Sequence, residues 1–199
     1  MSQFATYEDL LATITADEGR EIINPATEEV VGVAPEGNVE ELNAAVERAV
    51  QAQKSFAKLS DSERCDLLLK AADTIEASAE PLVELLSREQ GKPLNGPNAR
   101  FEVGACSAWL RATASFESPD YTAVDDDITA TVHYRPLGVV GAIGPWNWPM
   151  MITIWQIAPA LRMGNAVVVK PSEYTPLSVL ALIKVFNSVL PEGVLQVVT

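Results

Sequence analysis

The chain has 199 residues, of which 48% are hydrophobic and 21% are charged, the usual composition of a globular protein of one domain or little more. Fourteen basic residues against 27 acidic ones give a net charge of −13, and the basic residues are not clustered. Because nucleic acids are bound through clustered Lys and Arg, the composition argues against a nucleic-acid-binding function.

The N-terminal region carries no sign of export or membrane insertion. Residues 1–20 are predicted to form a tail, which begins without the basic stretch and apolar run of a signal peptide. All apolar runs are shorter than the ~20 residues that a membrane helix needs. The two cysteines, Cys65 and Cys106, form neither a disulfide framework nor a metal-binding pattern. We therefore expect a cytoplasmic protein that binds no membrane and no metal.

Residues 38–117 have the periodicity of amphipathic helices. Asn38 with Glu41 begins one helix in the pattern of a capping box, and Ser60 with Glu63 begins a second. Two more helices are predicted at about 78–90, ending at a Gly, and at about 101–116. Each helix has one apolar face and needs a surface to pack against.

Strand patterns follow the helices. Residues 128–135 alternate apolar and polar side chains, which predicts a half-buried strand. Three strands are apolar on both faces, so we expect each to be buried on both faces. They alternate with two helices, in the order 139–143, about 150–163, 166–170, about 176–190 and 194–199.

The order β-α-β-α-β predicts an α/β fold over residues 136–199. It corresponds to the first half of a doubly wound, parallel dinucleotide-binding sheet, with the amphipathic helices N-terminal to it. Because the chain ends on an apolar strand whose edge is unprotected, we expect this fold to be truncated.

The two turns that follow the first two of these strands are candidate ligand sites. The usual G-x-G-x-x-G fingerprint is absent, but ligands bind beyond the carboxyl ends of parallel strands, here at residues 144–149 and 170–175. By pattern alone, Asn147 either satisfies a tight turn or contacts a ligand. Lys170 and Glu173 form either an ordinary surface pair or part of a site.

Several segments resemble the aldehyde dehydrogenase family. Residues 136–149 resemble the segment that opens the cofactor domain of that family, and residues 158–176 resemble its next block. Residues 23–27 and 90–93 match as well. The resemblance covers nearly the whole chain, so residues 21–199 are expected to be an incomplete aldehyde dehydrogenase domain. Its expected parts are the helical part at 38–117, the start of the oligomerisation strands at 120–135, and the first half of the NAD-binding fold at 136–199.

The resemblance implies a role for each residue of the site. The Asn147 amide would donate a hydrogen bond to the aldehyde oxygen as that atom becomes an oxyanion. A carboxylate at Glu173 would accept the ribose hydroxyls and repel a 2′-phosphate, so NAD is expected rather than NADP. The residues expected to bind the cofactor are Ile143, Pro145, Trp146, Lys170, Ser172 and Glu173.

The resemblance also implies groups that cannot be assigned in this chain. The family uses a cysteine thiolate that attacks the aldehyde and a glutamate that activates water. Cys65 and Cys106 lie in predicted helices far from the cofactor segment and are expected to be packing residues. His133 is expected to be exposed, without a partner for a catalytic dyad. We therefore expect the intact parent, a homo-oligomer, to oxidise a small-molecule aldehyde, and the 199-residue chain to be inactive.

Two alternatives remain open from the sequence. The chain could be a short protein that binds a nucleotide or a partner without catalysis. It could also be the non-functional product of a broken reading frame.

Overall fold

The computed structural model describes residues 4–117, 120–125 and 127–199. Within these ranges no helix is long and apolar enough to span a membrane. The elements in chain order are α1 (Tyr7–Leu11), β1 (Arg20–Ile23), β2 (Val30–Ala34), α2 (Val39–Phe56), α3 (Asp61–Ala77), α4 (Ala79–Gln90), α5 (Ala99–Ser115), β3 (Tyr121–Asp125), β4 (Ile128–Val132), β5 (Val139–Ile143), α6 (Pro149–Arg162), β6 (Ala166–Lys170), α7 (Pro176–Phe186) and β7 (Leu195–Val197).

A parallel sheet in the order β5-β6-β7 organises the C-terminal part of the chain. Its crossovers are α6 and α7, so the predicted β-α-β-α-β half of a doubly wound sheet is confirmed. The expectation that β5 is buried on both faces is wrong, because Gly141 and Ile143 are exposed. Among the described residues β5 pairs only with β6 and forms an edge of this sheet.

Helices cover both faces of the central strand, β6. Ala166 and Val168 pack against Ala45 and Ala49 of α2. Val167 and Val169 point to the opposite face and join the main core with residues of α6 and α7. Because side chains alternate across a strand, the apolar residues at the first four positions of β6 serve two layers at once.

The helical part forms as its end signals predict. The Asn38 side chain accepts a hydrogen bond from the Glu41 N–H at 2.9 Å, and the Asn38 N–H donates to the Glu41 carboxylate at 3.2 Å. Ser60 and Glu63 form the same reciprocal cap on α3. Gly91 ends α4 in the left-handed conformation, at φ 69°, where a Cβ would lie 2.6 Å from the ring of Pro25. Only glycine fits this turn.

The N-terminal tail contains structure that the sequence analysis does not predict. Thr6 and Asp9 cap the short helix α1, whose Leu10 is fully buried, and β1 pairs with β2 as an antiparallel hairpin. A helix of five residues is too short to show a periodicity, which explains why it escapes prediction.

A second hairpin, β3–β4, differs from its prediction. All residues of β4 except Val132 are exposed, and Ile128 is 71% exposed, so the prediction of a half-buried strand is wrong. The expectation that His133 has no dyad partner is also wrong, because its Nδ1 lies 3.0 Å from the Asp120 carboxylate. Alternating side chains predicted the strand correctly, but they do not show whether another layer covers it.

Two buried carboxylates from the helical part cap the two crossover helices. Glu102 of α5 accepts hydrogen bonds from the backbone N–H groups of Met150 and Met151, at 2.9 and 3.2 Å. Glu89 of α4 accepts from those of Leu177 and Ser178, at 2.6 and 2.9 Å. Neither crossover helix has a side-chain cap of its own, so these remote carboxylates satisfy donors that would otherwise be unpaired.

The carboxylate of Glu89 makes stability depend on pH. Burial raises the pKa of Glu89 to about 7, and the charge of Glu102 adds to the increase, while hydrogen bonds from Ser178 and Leu177 oppose it. Between the ordinary pKa of a glutamate and about 7, the folded state keeps a proton that the unfolded state releases. The stability that Glu89 contributes is therefore fully present at low pH and falls as the pH rises through this window.

We expect Glu89→Gln to remove this component of the pH dependence, because the amide cannot ionise. The free energy of unfolding of the unsubstituted chain, measured relative to the variant, should fall by on the order of 2–3 kcal/mol between pH 4.5 and 8. Chemical unfolding at a series of pH values measures the difference. Glu84→Gln, at a half-exposed position of the same helix, is the control. A pH-independent difference for Glu89→Gln would contradict the assignment.

Candidate active site at the carboxyl ends of the parallel strands

The loops after β5 and β6, residues 144–148 and 171–175, lie side by side at the carboxyl end of the sheet. The Gly144 N–H donates to the Lys170 carbonyl at 3.0 Å. The Thr175 hydroxyl donates to the Trp146 carbonyl at 3.4 Å. The structure therefore brings the two predicted groups of site residues, around Asn147 and around Lys170, to one edge of the sheet, as parallel topology requires.

The first loop turns away from the sheet at Gly144. A Cβ on this residue would lie 2.8 Å from the Thr153 hydroxyl of α6, so the loop can approach the helix only without a side chain here. The Gln156 side chain donates to the carbonyl of Ile143 at 3.0 Å and holds the end of β5. Both contacts fix the point from which the Asn147 loop departs.

The backbone around Asn147 is held by side chains of the helical part. Gln90 Nε2 donates to the carbonyls of Trp146 and Asn147, at 2.7 and 2.8 Å, and Lys92 Nζ donates to the carbonyl of Asn147 at 2.9 Å. The Asn147 side chain is exposed, and among the described residues nothing forms a hydrogen bond with its amide. The result is a free amide donor on an anchored backbone.

The second loop borders a cavity of about 470 Å³. Ser172 is buried in its wall, whereas Lys170 and Glu173 are half-exposed and their charged atoms lie 3.6 Å apart. A hydrogen bond from its own backbone N–H, together with the nearby charge of Lys170, lowers the pKa of Glu173 and keeps it ionised at neutral pH. Arg20 and Glu36 line the same cavity, so its rim carries both signs of charge.

The remaining residues predicted to bind the cofactor lie around the same carboxyl end of the sheet. Ile143 lines a separate, apolar cavity of about 610 Å³ that is formed by β5, β6 and α2. Lys170 and Thr199 line both cavities, so the two share a border. Pro145 is half-buried and Trp146 is exposed in the loop that carries Asn147.

The two cysteines do not belong to this site. Cys106 is fully buried within α5, and burial raises the pKa of its thiol well above the ordinary value. The Cys65 thiol donates to the carbonyl of Ala114 at 3.3 Å. Cys106 therefore packs in the core, as predicted, whereas Cys65 is half-buried in α3. Over residues 4–117, 120–125 and 127–199, no group of His, Cys, Asp or Glu side chains is arranged to hold a metal ion.

Sequence reasoning missed the side chains that hold the site from outside the sheet, namely Gln90, Lys92 and Glu102. Residues 90–93 were noted only as part of a matching segment, without a role. Glu102 could have been identified from the sequence, because an acidic residue on the apolar face of a helix needs a buried partner.

Comparisons with known proteins show the family to which this chain belongs. Residues 13–199 match the aldehyde dehydrogenase family. Phenylacetaldehyde dehydrogenase of Pseudomonas fluorescens is 39% identical over 197 residues, which cover 92% of this chain and 39% of the relative. The chain spans about two fifths of the length of the curated relatives it matches.

Solved structures show the same similarity. An NADP-dependent glyceraldehyde-3-phosphate dehydrogenase from Bacillus halodurans, complexed with NADP, superposes with a TM-score of 0.86 at 35% identity, covering 92% of this chain and 40% of that one. A succinate-semialdehyde dehydrogenase from Burkholderia pseudomallei gives 0.86 at 32% identity, covering 92% and 39%. The family predicted from the sequence is confirmed: the chain belongs to the aldehyde dehydrogenase family, of whose members it matches the N-terminal, nucleotide-binding part.

Proposed function

We propose that the site at residues 143–148 and 170–173 serves the oxidation of an aldehyde to a carboxylic acid, with NAD as the hydride acceptor. One observation carries the proposal: the Asn147 amide is exposed and free of protein partners, while its backbone is anchored by Gln90 and Lys92. Such a donor needs no reorganisation when negative charge develops on a bound carbonyl oxygen.

Asn147 would act as the oxyanion donor in this reaction. When a nucleophile adds to an aldehyde, the carbonyl oxygen gains negative charge, and a fixed N–H dipole stabilises that charge more than it stabilises the neutral substrate. We assign the role of nucleophile to neither cysteine of this chain, because Cys106 is fully buried and Cys65 donates its thiol proton to the carbonyl of Ala114.

The cavity beside β6 fits the adenosine ribose of the cofactor. Its volume lies within the usual range for small-molecule sites, and its donor set offers a carboxylate, an ammonium and a buried hydroxyl, from Glu173, Lys170 and Ser172. The ionised Glu173 would accept the ribose hydroxyls and repel a 2′-phosphate, which favours NAD over NADP. Pro145, Trp146 and Ile143 would line the path from the ribose toward Asn147. The nicotinamide of the bound cofactor would supply the hydride acceptor.

Aromatic rings on α5, on α6 and at the N-cap of α6 support a proposal for the substrate class. Trp109 and Trp155 lie with ring centroids 5.3 Å apart, and Phe101 meets Trp148 edge-to-face at 6.0 Å. Phe101 and Trp109 are about two turns apart on one face of α5. We propose that an apolar or aromatic aldehyde binds along these rings, since flat apolar groups pack well on such surfaces.

The exposed hairpin β3–β4 supports a role in assembly. Tyr121, Val124 and Ile128 expose large apolar side chains to solvent. A two-stranded hairpin is rarely stable without a further partner, and exposed apolar strands commonly mark an interface. We propose that this hairpin contributes to a homo-oligomer of the parent protein.

The central test is Asn147→Ala in the protein as its natural source produces it. We expect kcat for NAD reduction with phenylacetaldehyde to fall by roughly 10²–10³-fold, the usual effect of losing one oxyanion donor. The Michaelis constant for NAD should change little. Asn43→Ala, which removes an exposed asparagine from α2, is the matched control. Unchanged turnover in Asn147→Ala would contradict the assigned role.

Cofactor choice is tested by Glu173→Gln in the same protein. Removing the exposed carboxylate should improve the ratio of kcat/KM for NADP to kcat/KM for NAD by about two- to fivefold, the range expected for one solvent-screened charge. Steady-state kinetics with both cofactors measure the ratio. Glu36→Gln changes a charge on the rim of the same cavity without touching the predicted ribose contact. An equal shift in both variants would assign the preference to net charge instead.

We further propose that residues 1–199 alone do not catalyse the reaction. An assay of this chain with phenylacetaldehyde and NAD should show no increase in NADH absorbance over the buffer control. Turnover that disappears in the Asn147→Ala variant of the same chain would refute this expectation.

A further inference from the structure

A buried ion pair lies directly behind the loop that carries Asn147. The Glu102 side chain is fully buried and the Lys92 side chain is 10% exposed, and Lys92 Nζ lies 2.6 Å from the Glu102 carboxylate. The other oxygen of Glu102 accepts the backbone N–H groups of Met150 and Met151 at the start of α6. The pair therefore joins the first turn of α6 to the end of α4.

Lys92 extends this connection to Asn147 itself. Its ammonium donates to the Asn147 carbonyl at 2.9 Å and lies 3.9 Å from the ring centroid of Trp148. Its own backbone is held in place, because the Ser87 hydroxyl donates to the Lys92 carbonyl at 2.7 Å. Gln90 adds hydrogen bonds to the carbonyls of Trp146 and Asn147. The loop is thus held through its backbone carbonyls, while the Asn147 amide forms no hydrogen bond with the described residues.

We propose that the Lys92–Glu102 pair, with Gln90, is a positioning device that sets the orientation of the Asn147 amide. The importance of that orientation rests on the proposed function. Lys92 touches neither substrate nor cofactor in this proposal and acts only through the backbone of Asn147.

Stability alone does not account for this pair. A buried ion pair commonly gives no more stability than apolar residues of the same volume, because both charges must be desolvated. Here the charges also make specific hydrogen bonds to the loop on one side and to the helix on the other. Apolar side chains would fill the space without fixing the direction in which the loop leaves β5.

The test uses Lys92→Met combined with Glu102→Gln. Lys92→Met alone would leave a buried, unpaired carboxylate and could prevent folding. The double variant removes both charges, while the new amide oxygen can still accept the N–H groups of α6. The protein is labelled with ¹⁵N-asparagine, and the backbone order parameter of Asn147 is measured by relaxation. We expect it to fall from about 0.85 to below about 0.6, the values of rigid and flexible backbone.

An internal control is available in the same spectrum. Asn165 is buried, accepts the Gly138 N–H and donates to the Ala160 carbonyl, so its order parameter should not change. Arg100→Met, which removes an exposed ion pair between Arg100 of α5 and Glu80 of α4, is the control variant and should leave Asn147 rigid. Lys92→Arg as a single substitution retains a cation and its donors. It should therefore keep the order parameter of Asn147 close to that of the unsubstituted protein. An Asn147 backbone that stays rigid in a folded double variant would overturn the proposal.

Kinetics separate this proposal from the proposed function. In the protein from its natural source, the double variant should lower kcat by about ten- to a hundredfold, as small misplacements of a catalytic group do, with little change in the Michaelis constant for NAD. If the unsubstituted protein does not oxidise aldehydes, the proposed function fails, and the relaxation measurement still decides whether the pair positions the loop. If Asn147 becomes mobile while kcat is unchanged, the loop is positioned but its orientation does not matter for the reaction.

Discussion

The arrangement of this chain depends on two carboxylates of the helical part that cap the N-termini of the crossover helices α6 and α7. Glu102 and Glu89 are buried, and each accepts two backbone N–H groups at the first turn of a helix that begins at a proline. A helix N-terminus carries a partial positive charge and unpaired donors, so a buried carboxylate and a buried helix start compensate each other. This pairing fixes the sheet relative to the helices.

The same caps limit where a dinucleotide can bind. In many nucleotide-binding folds the phosphates sit on the N-terminus of the helix after the first strand. Here Glu102 already occupies the first donors of α6, and Glu89 those of α7. The missing G-x-G-x-x-G fingerprint therefore agrees with the structure, because the first backbone donors of α6 are already occupied by Glu102. In the proposed function, the side chains that line the cavity beside Lys170 and Glu173 contact the ribose and not the phosphates.

Sequence patterns predicted the features that depend on residues close together along the chain. The caps at Asn38 and Ser60, the glycine end of α4 and the alternating strands and helices after residue 138 each depend on neighbours within a few positions. The residues expected at the site lie together at the carboxyl end of the sheet, because neighbouring parallel strands end on the same side. Their roles were assigned through the family resemblance, and those roles remain proposals.

Long-range contacts could not be predicted in this way. Lys92 and Asn147 are 55 positions apart, and Glu89 and Leu177 are 88 apart, so no periodicity links them. The exposure of β4 and of the β5 edge depends equally on which layers lie nearby, and a strand pattern contains no such information. Family resemblance pointed to residues 90–93 but gave no reason for the lysine.

The contact between the last strand and the start of α2 has a consequence for how the chain folds. The Gly37 N–H donates to the Thr199 carbonyl at 2.8 Å, and the Thr199 hydroxyl donates to the carbonyl of Pro35 across 164 positions. Bringing residues so far apart along the chain together costs conformational entropy before the contacts between them form. Topologies with such long-range contacts fold slowly. During synthesis the segment 35–37 leaves the ribosome long before its partner exists. The contacts between residues 35–37 and Thr199 therefore form only after the intervening helices and strands have been synthesised.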